Sequence, residues 1–407
     1  MKKIVVFSFL IGLGIILFSS GLAYPEQNSA PYIKLGLDYY HLKEYTKARQ
    51  AFEQAVKLEP DNFEAHYNLA LTDLELKEYE EATEELMVCV KLKPAYPGIH
   101  LLLGNLFSYQ QLPEKAITEY EKEITINPSD ALAWYNLGQI LYWQGEYEKA
   151  IENFEKAIDL NPDLERAYVS LGMSYFKLRR WDKTLESLQK AVTQDPKDVD
   201  SHLYLGRVHL EQKNYEKAEV EFQTVIELEP ENSYAHGYLA NIYMEKKEYP
   251  KAEVELEKAV KIKPDEPFFH YNLAHTYVQL QKYAQAIEEF QEVLKLKPVF
   301  QDTYFHLGSI YYKQGKNEQA IECYEKETQH HPDNPDAYFN LGLIYFEEKK
   351  YDLAEQNLRK VIQINPQDAQ AHELLGDLYA EKGMYLQAAD HHEKAAHLKS
   401  QGSQPPE

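Results

Sequence analysis

Cysteine is nearly absent: Cys89 and Cys323 are the two in 407 residues, 234 positions apart. That excludes a disulfide framework, and no Cys/His cluster shows zinc-site spacing. Both cysteines sit among apolar helix positions and read as small buried thiols. Positive charge is also short, with 43 Lys and Arg against 66 Asp and Glu, a formal net charge of -23. Phosphate binding needs clustered cations, so nucleic acid and anionic membrane surfaces are excluded as partners. The strongest basic run, Lys177-Leu-Arg179-Arg180, is short and reads as a solvated face. The chain shows no phosphate-cradling glycine loop, no Ser/His/Asp order and no setting for a cysteine nucleophile. It also lacks an Asn-x-Ser/Thr acceptor with a permitted middle residue. These absences point to a protein that is not an enzyme, with no cofactor and no metal.

What is present is a ruler. A proline returns every 34 residues at Pro60, Pro94, Pro128, Pro162, Pro196, Pro230, Pro264, Pro298, Pro332 and Pro366. A fixed period of this length is the mark of a repeat solenoid, in which each unit contacts its neighbours and no single large core is needed. Residues 29–402 divide into eleven units: 29–62, 63–96, 97–130, 131–164, 165–198, 199–232, 233–266, 267–300, 301–334, 335–368 and 369–402, with 403–407 as a tail. In the fourth unit Trp134, Leu137, Gly138 and Leu141 share one face of a first helix. Gly145 ends that helix, since glycine tolerates the left-handed cap conformation. Tyr147, Ala150, Phe154 and Ala157 lie on a second helix, and Asn161-Pro162-Asp163 breaks it.

The pattern Trp134, Leu137, Gly138, Leu141, Ala150, Phe154, Ala157, Pro162 resembles the tetratricopeptide repeat family, and it recurs at 34-residue steps. The leucine column runs complete from Leu35 to Leu375, the column of Gly138 holds Gly or Ala, and that of Ala150 holds Ala except for Thr184. The resemblance implies an all-α fold: paired antiparallel helices stacked into a right-handed superhelix with a concave groove. Small residues facing each other let the helix axes approach, and stacking stabilises helices that are marginal alone. Asp73, Glu123 and Glu327 depart from the pattern; a carboxylate there is costly if buried, so it is expected to reach the edge of the stack or loosen it. His391 and His392 mark the last unit as a terminal cap.

The N-terminus has its own signature. Met1-Lys2-Lys3, an apolar run from Ile4 to Phe18 and the small-residue site ending at Ala23 read as a secretory signal, residues 1–23, with an uncleaved anchor as the competing reading. With Lys2 and Lys3 held inside, the body is exported either way, to the periplasm or cell surface of a bacterium. The membrane is touched only through this segment, and only if it stays uncleaved.

Fifteen histidines invite a metal hypothesis. Six of them, His66, His100, His202, His236, His270 and His372, fall in the column of Trp134 and Tyr168 and are expected to fill the same aromatic slot. The groove is the better candidate site. Tyr67, Asn68, Tyr135, Asn136, Gln139, Tyr142, Tyr271, Asn272, His275, Phe339, Asn340 and Phe346 lie beside the packing face of their first helices. Asn68, Asn136, Asn272 and Asn340 share one column, and an amide both donates to and accepts from a peptide backbone. This column is similar to the asparagine ladder of O-linked N-acetylglucosamine transferases, whose catalytic domain has no counterpart here. The family's basic clamp for chaperone carboxylates is missing. The expected role is a scaffold of the bacterial cell envelope that holds a protein or extended peptide in the groove. The alternative is a scaffold for export or assembly of a polysaccharide or surface appendage. Self-assembly into a homo-oligomer through exposed repeat faces is a third reading.

Overall fold

The structure, a computed structural model, describes residues 28–401; the leader at 1–23 and the tail at 403–407 lie outside them. Among the described residues there are 22 helices and no strands. They fall two to a repeat, and in ten of the repeats the two helices pack as a hairpin. The first six are α1 (Ala30–His41) with α2 (Tyr45–Leu58), α3 (Phe63–Leu76) with α4 (Tyr79–Leu92), α5 (Ile99–Tyr109) with α6 (Pro113–Ile126), α7 (Ala131–Gln144) with α8 (Tyr147–Leu160), α9 (Glu165–Lys177) with α10 (Trp181–Gln194), and α11 (Val199–Glu211) with α12 (Tyr215–Leu228). The remaining five are α13 (Ser233–Glu245) with α14 (Tyr249–Ile262), α15 (Pro267–Gln279) with α16 (Tyr283–Leu296), α17 (Thr303–Lys313) with α18 (Asn317–His330), α19 (Pro335–Glu347) with α20 (Tyr351–Ile364), and α21 (Ala369–Glu381) with α22 (Tyr385–Gln401). The chain forms two compact units, one up to Val208 and one from His209, so the division falls within α11. In each unit the hairpins stack in sequence and successive first helices touch, as α5 does α7 and α13 does α15.

The packing follows the small-residue columns. A Cβ added at Gly138 would lie 2.8 Å from Phe154, a fully buried ring, so α7 and α8 approach as closely as they do because glycine stands there. Successive hairpins are also tied by hydroxyls. Tyr175 of α9 donates to Glu155 of α8 at 2.6 Å, and Tyr277 of α15 donates to Glu257 of α14 at 3.0 Å.

The turn inside each hairpin is more uniform than Gly145 suggests. The residue at its position has positive φ in all eleven repeats, and in eight of them it is Lys, Gln or Arg: Lys43, Lys77, Gln111, Arg179, Lys213, Lys247, Gln281 and Lys349. The following N–H bonds the carbonyl five residues back, as Glu78 does Asp73, and the αL residue bonds three back, as Lys77 does Leu74. These are the paired bonds of a Schellman cap, and they hold αL in residues that resist it. Several first helices start on polar caps just after the periodic proline: Asn62 accepts from Ala65 N–H at 3.1 Å and Asp368 from Ala371 N–H at 2.8 Å.

The three out-of-pattern carboxylates do not reach an edge. Asp73, Glu123 and Glu327 are each 1% exposed or less. Arg49 of α2 meets Asp73 at 2.9 Å. Glu123 of α6 turns back on its own hairpin and accepts the N–H of Gly98 at 2.7 Å and of Leu101 at 3.3 Å. Glu327 accepts from Asn334 Nδ2 at 3.1 Å and meets His331 Nδ1 at 2.9 Å. Burial is tolerated because each carboxylate finds donors or a cation. The second and third of these belong to the two repeats whose first helix begins late, α5 and α17, each of 11 residues.

Candidate functional site

The candidate site is the face of the first helices beside their packing side. Its backbone is a polar track with a stagger of 31 residues, from one first helix to the next. In the first unit Asn136 of α7 donates through Nδ2 to Asn105 of α5 at 2.8 Å, and Gln139 of α7 donates through Nε2 to Ser170 of α9 at 2.6 Å. In the second unit Asn272 of α15 donates to Asn241 of α13 at 3.1 Å. At the same offset His275 of α15 lies against His306 of α17, ring centroids 4.2 Å apart. Asn105, Asn136, Gln139 and Asn241 are half-buried, and the pairing of Asn136 with Asn105 occupies one N–H of Asn136. The Asn105 carbonyl also accepts from Tyr120 at 2.8 Å, which anchors the track to α6.

The predicted aromatics stand behind this track rather than on it. Tyr67, Tyr135, Tyr142 and Tyr271 are all buried. Tyr67 stacks along Phe63 and meets Tyr96, 5.8 Å away, from the loop before α5. Tyr271 meets Phe300 at 5.6 Å, from the loop before α17. Tyr135 accepts from Gln139 at 2.6 Å, and Tyr142 packs edge-on to Trp143 and Tyr147. Burial raises the pKa of each of these phenols. Phe339 and Phe346 of α19 are half-buried.

The asparagines divide. Asn136 and Asn272 join the track, whereas Asn68 and Asn340 donate to backbone carbonyls one turn earlier in their own helices, Glu64 and Asp336, both at 2.9 Å. The column is therefore not one ladder. The residues that complete the track, Asn105, Ser170, Asn241 and His306, were not singled out from sequence. Their signal was present as polar residues recurring at a 31-residue offset, one turn out of register with the 34-residue columns.

In the second unit the track ends in a cluster of titratable groups. Tyr271 donates to Asp302 at 2.5 Å, and the other Asp302 oxygen meets His306 Nε2 at 3.1 Å. The His306 bond holds the Asp302 carboxyl well below its usual range, while burial pushes the same group up less strongly. Burial, with His306 alongside, pushes His275 down to about 4, so this ring is neutral at physiological pH. Among the described residues no group of three or more His, Cys, Asp or Glu is placed to hold a metal ion.

The histidine column fills the slot of Trp134 and makes the same hydrogen bond to the periodic proline's carbonyl. Trp134 Nε1 donates to the carbonyl of Pro128 at 3.0 Å. His66, His100, His202, His236, His270 and His372 place Nε2 on the corresponding carbonyls of Pro60, Pro94, Pro196, Pro230, Pro264 and Pro366, at 2.7–3.3 Å. Each thereby closes the loop at the periodic proline.

Family models described as tetratricopeptide repeat match residues 131–164 and 335–368, residues 175–242 and 209–275, and residues 63–96. A further model, described as TPR repeat, matches residues 36–75, 113–145, 274–315 and 308–348. No curated protein matches the chain. Among solved structures, YrrB, described as a TPR protein with an unusual peptide-binding site, is 24% identical with a TM-score of 0.42, covering 46% of this chain and 96% of its own. MamA from Desulfovibrio magneticus RS-1 is 25% identical with a TM-score of 0.40, covering 42% of this chain and 96% of its own. A human IFIT1 dimer with m7Gppp-AAAA is 17% identical with a TM-score of 0.44, covering 92% of this chain and 91% of its own.

Proposed function

This chain belongs to the tetratricopeptide repeat family, and from that premise we propose that it is a non-enzymatic scaffold holding a protein or extended peptide along the first-helix face of its units. Proteins of this family bind peptides or proteins, and the fold typically serves interaction rather than catalysis. The observation that carries the reading is the staggered polar track, Asn105 to Asn136 and Gln139 to Ser170 in one unit, Asn241 to Asn272 in the other. Half-buried amides spaced along neighbouring helices match the alternating donors and acceptors of an extended backbone. The net charge of -23 argues against nucleic acid as the occupant.

The place of action follows from the N-terminal pattern of basic start, apolar run and small-residue site, which supports export to a bacterial periplasm or cell surface. A second reading, a scaffold for polysaccharide or appendage export, draws on Trp143 and Tyr109, 67% and 53% exposed at the ends of α7 and α5, whose flat faces suit sugar rings. Photocrosslinking separates these readings, with a photoreactive residue at Gln139 or at Asn241 in the native host. Protein adducts from both positions are expected. Adducts that vanish on glycan digestion would favour the second reading, and adducts only from second-helix positions would sink the first.

A further inference from the structure

Two columns of the repeat change together along the chain. Where the fourth position is His66, His100, His202, His236 or His270, the position 19 residues later is Glu85, Glu119, Glu221, Glu255 or Glu289. Where the fourth position is Tyr32, Trp134, Tyr168, Tyr304 or Tyr338, the partner is Ala51, Asn153, Ser187, Cys323 or Asn357. His372 faces His391 instead, Nδ1 to Nδ1 at 2.9 Å. The structure gives the reason. His66 Nδ1 is bonded to Glu85; His100 to Glu119 at 2.5 Å, His236 to Glu255 at 2.5 Å and His270 to Glu289 at 2.6 Å. Each pair bridges the two helices of one hairpin.

The other ring nitrogen, Nε2, rests on the proline carbonyl that ends the preceding repeat. Both neighbours of each ring are therefore oxygens that accept. A neutral imidazole has one N–H and can serve one of them, so both bonds form only when the pair holds an extra proton. The four rings are 2–5% exposed, so water does not replace a lost bond. We propose that two of these His–Glu pairs, His66–Glu85 and His270–Glu289, are proton-dependent clasps, which close the second and eighth hairpins while protonated and release them as pH rises.

The surroundings are specific to each pair. Besides Glu85, Asp61 from the preceding loop acts on His66. Glu119 carries Lys122 on its other oxygen, and buried Glu123 lies near His100. Glu255 likewise carries Lys258, and Glu292 joins Glu289 around His270. The bond to Glu85 raises the His66 pKa, followed by opposing burial and the Pro60 carbonyl. At His270 burial pulls down, but Glu289 and the Pro264 carbonyl outweigh it, so the pKa is again raised. A histidine whose folded pKa lies above the unfolded value of about 6.5 stabilises fully below that value and loses this contribution as pH rises through the folded pKa.

The fourth hairpin, with Trp134 and Asn153, is the internal control. Hydrogen exchange of the full chain, corrected for the intrinsic pH dependence of exchange, reads the opening of each hairpin. Between pH 6 and pH 9 the opening of α3–α4 and α15–α16 should grow, by about tenfold for each unit that the folded pKa exceeds the unfolded one, while α7–α8 stays constant. His66→Trp with Glu85→Asn copies the fourth hairpin and should remove the dependence from α3–α4 while leaving it in α15–α16. Equal pH dependence in α7–α8, a flat response in α3–α4, or dependence persisting in the double variant would overturn the clasp. The wild-type comparison decides the matter even if the variant does not fold.

Discussion

Glu123 caps the helix that its own hairpin leaves uncapped: its carboxylate takes the N–H of Gly98, 2.7 Å away, from the side of α6. Gly98 stands at the N-cap of α5 with φ of 89°, and no side chain of its own can bond the first turn. A column that holds Ala157 and Ala259 elsewhere thus carries a carboxylate where a helix starts late. Replacing Glu123 by Ala restores the column's usual residue and yet should destabilise the chain by about 1–2 kcal/mol, the worth of a lost cap. Urea unfolding measures this; a variant as stable as wild type would show that Glu123 caps nothing.

Half-buried Arg49 pairs with buried Asp73, and burial pushes Asp73 up to about 7 while Arg49 holds it down. Its folded pKa lies above the unfolded value, so its ionisation costs stability progressively from about pH 4 to pH 7. Removing the cation with Arg49→Met should cost about 1 kcal/mol at about pH 8, where Asp73 is largely ionised, and Asp73→Tyr, which follows the column of Tyr243 and Tyr277, should recover most of it. Unfolding midpoints of the single and double variants check the coupling. An Arg49→Met protein of unchanged midpoint would contradict it.

Lys77, Gln111 and Arg179 hold αL backbones at φ of 56–64° in caps that glycine fills in three other repeats. Each replacement by Gly removes that strain, against the greater freedom gained by the unfolded chain. The net expectation for Gln111→Gly is a gain of up to ~1 kcal/mol, read as a higher thermal midpoint. A lower midpoint would show that the side chain's own contacts dominate.

His275 is an acid-sensitive point of the second unit. Its pKa is pushed down to about 4, so the unfolded chain binds a proton there first, and stability falls as pH drops from about 6.5 towards 4. Its buried Nε2 also has no hydrogen-bond partner. His275→Phe should flatten the fall between pH 6.5 and pH 4.5 by ~1–3 kcal/mol. Unfolding curves at the two pH values test this, and an unchanged difference would place the acid sensitivity elsewhere.

Much of the architecture is readable from residues alone, because each repeat writes its contacts within a span of about 34 positions. The prolines set the period, Gly138 and Ala150 set the approach of paired helices, and Leu69 to Leu375 mark the stacking face. Even the His–Glu clasps were legible, as two columns 19 residues apart that vary together. Such features are local and periodic, so composition and spacing carry them.

The tertiary structure decided what depends on direction and burial. It turned Tyr67 and Tyr271 inward beneath Tyr96 and Phe300, loop aromatics that no periodic column announces. It sent Asn68 and Asn340 back to their own helices while Asn136 and Asn272 reached the next one. The four share one column, but the acceptor each finds depends on what the preceding repeat presents: Asn105 before Asn136, Leu37 before Asn68. A side chain takes the nearest partner that satisfies it, and the identity of that partner is a property of the assembled neighbours rather than of the residue itself.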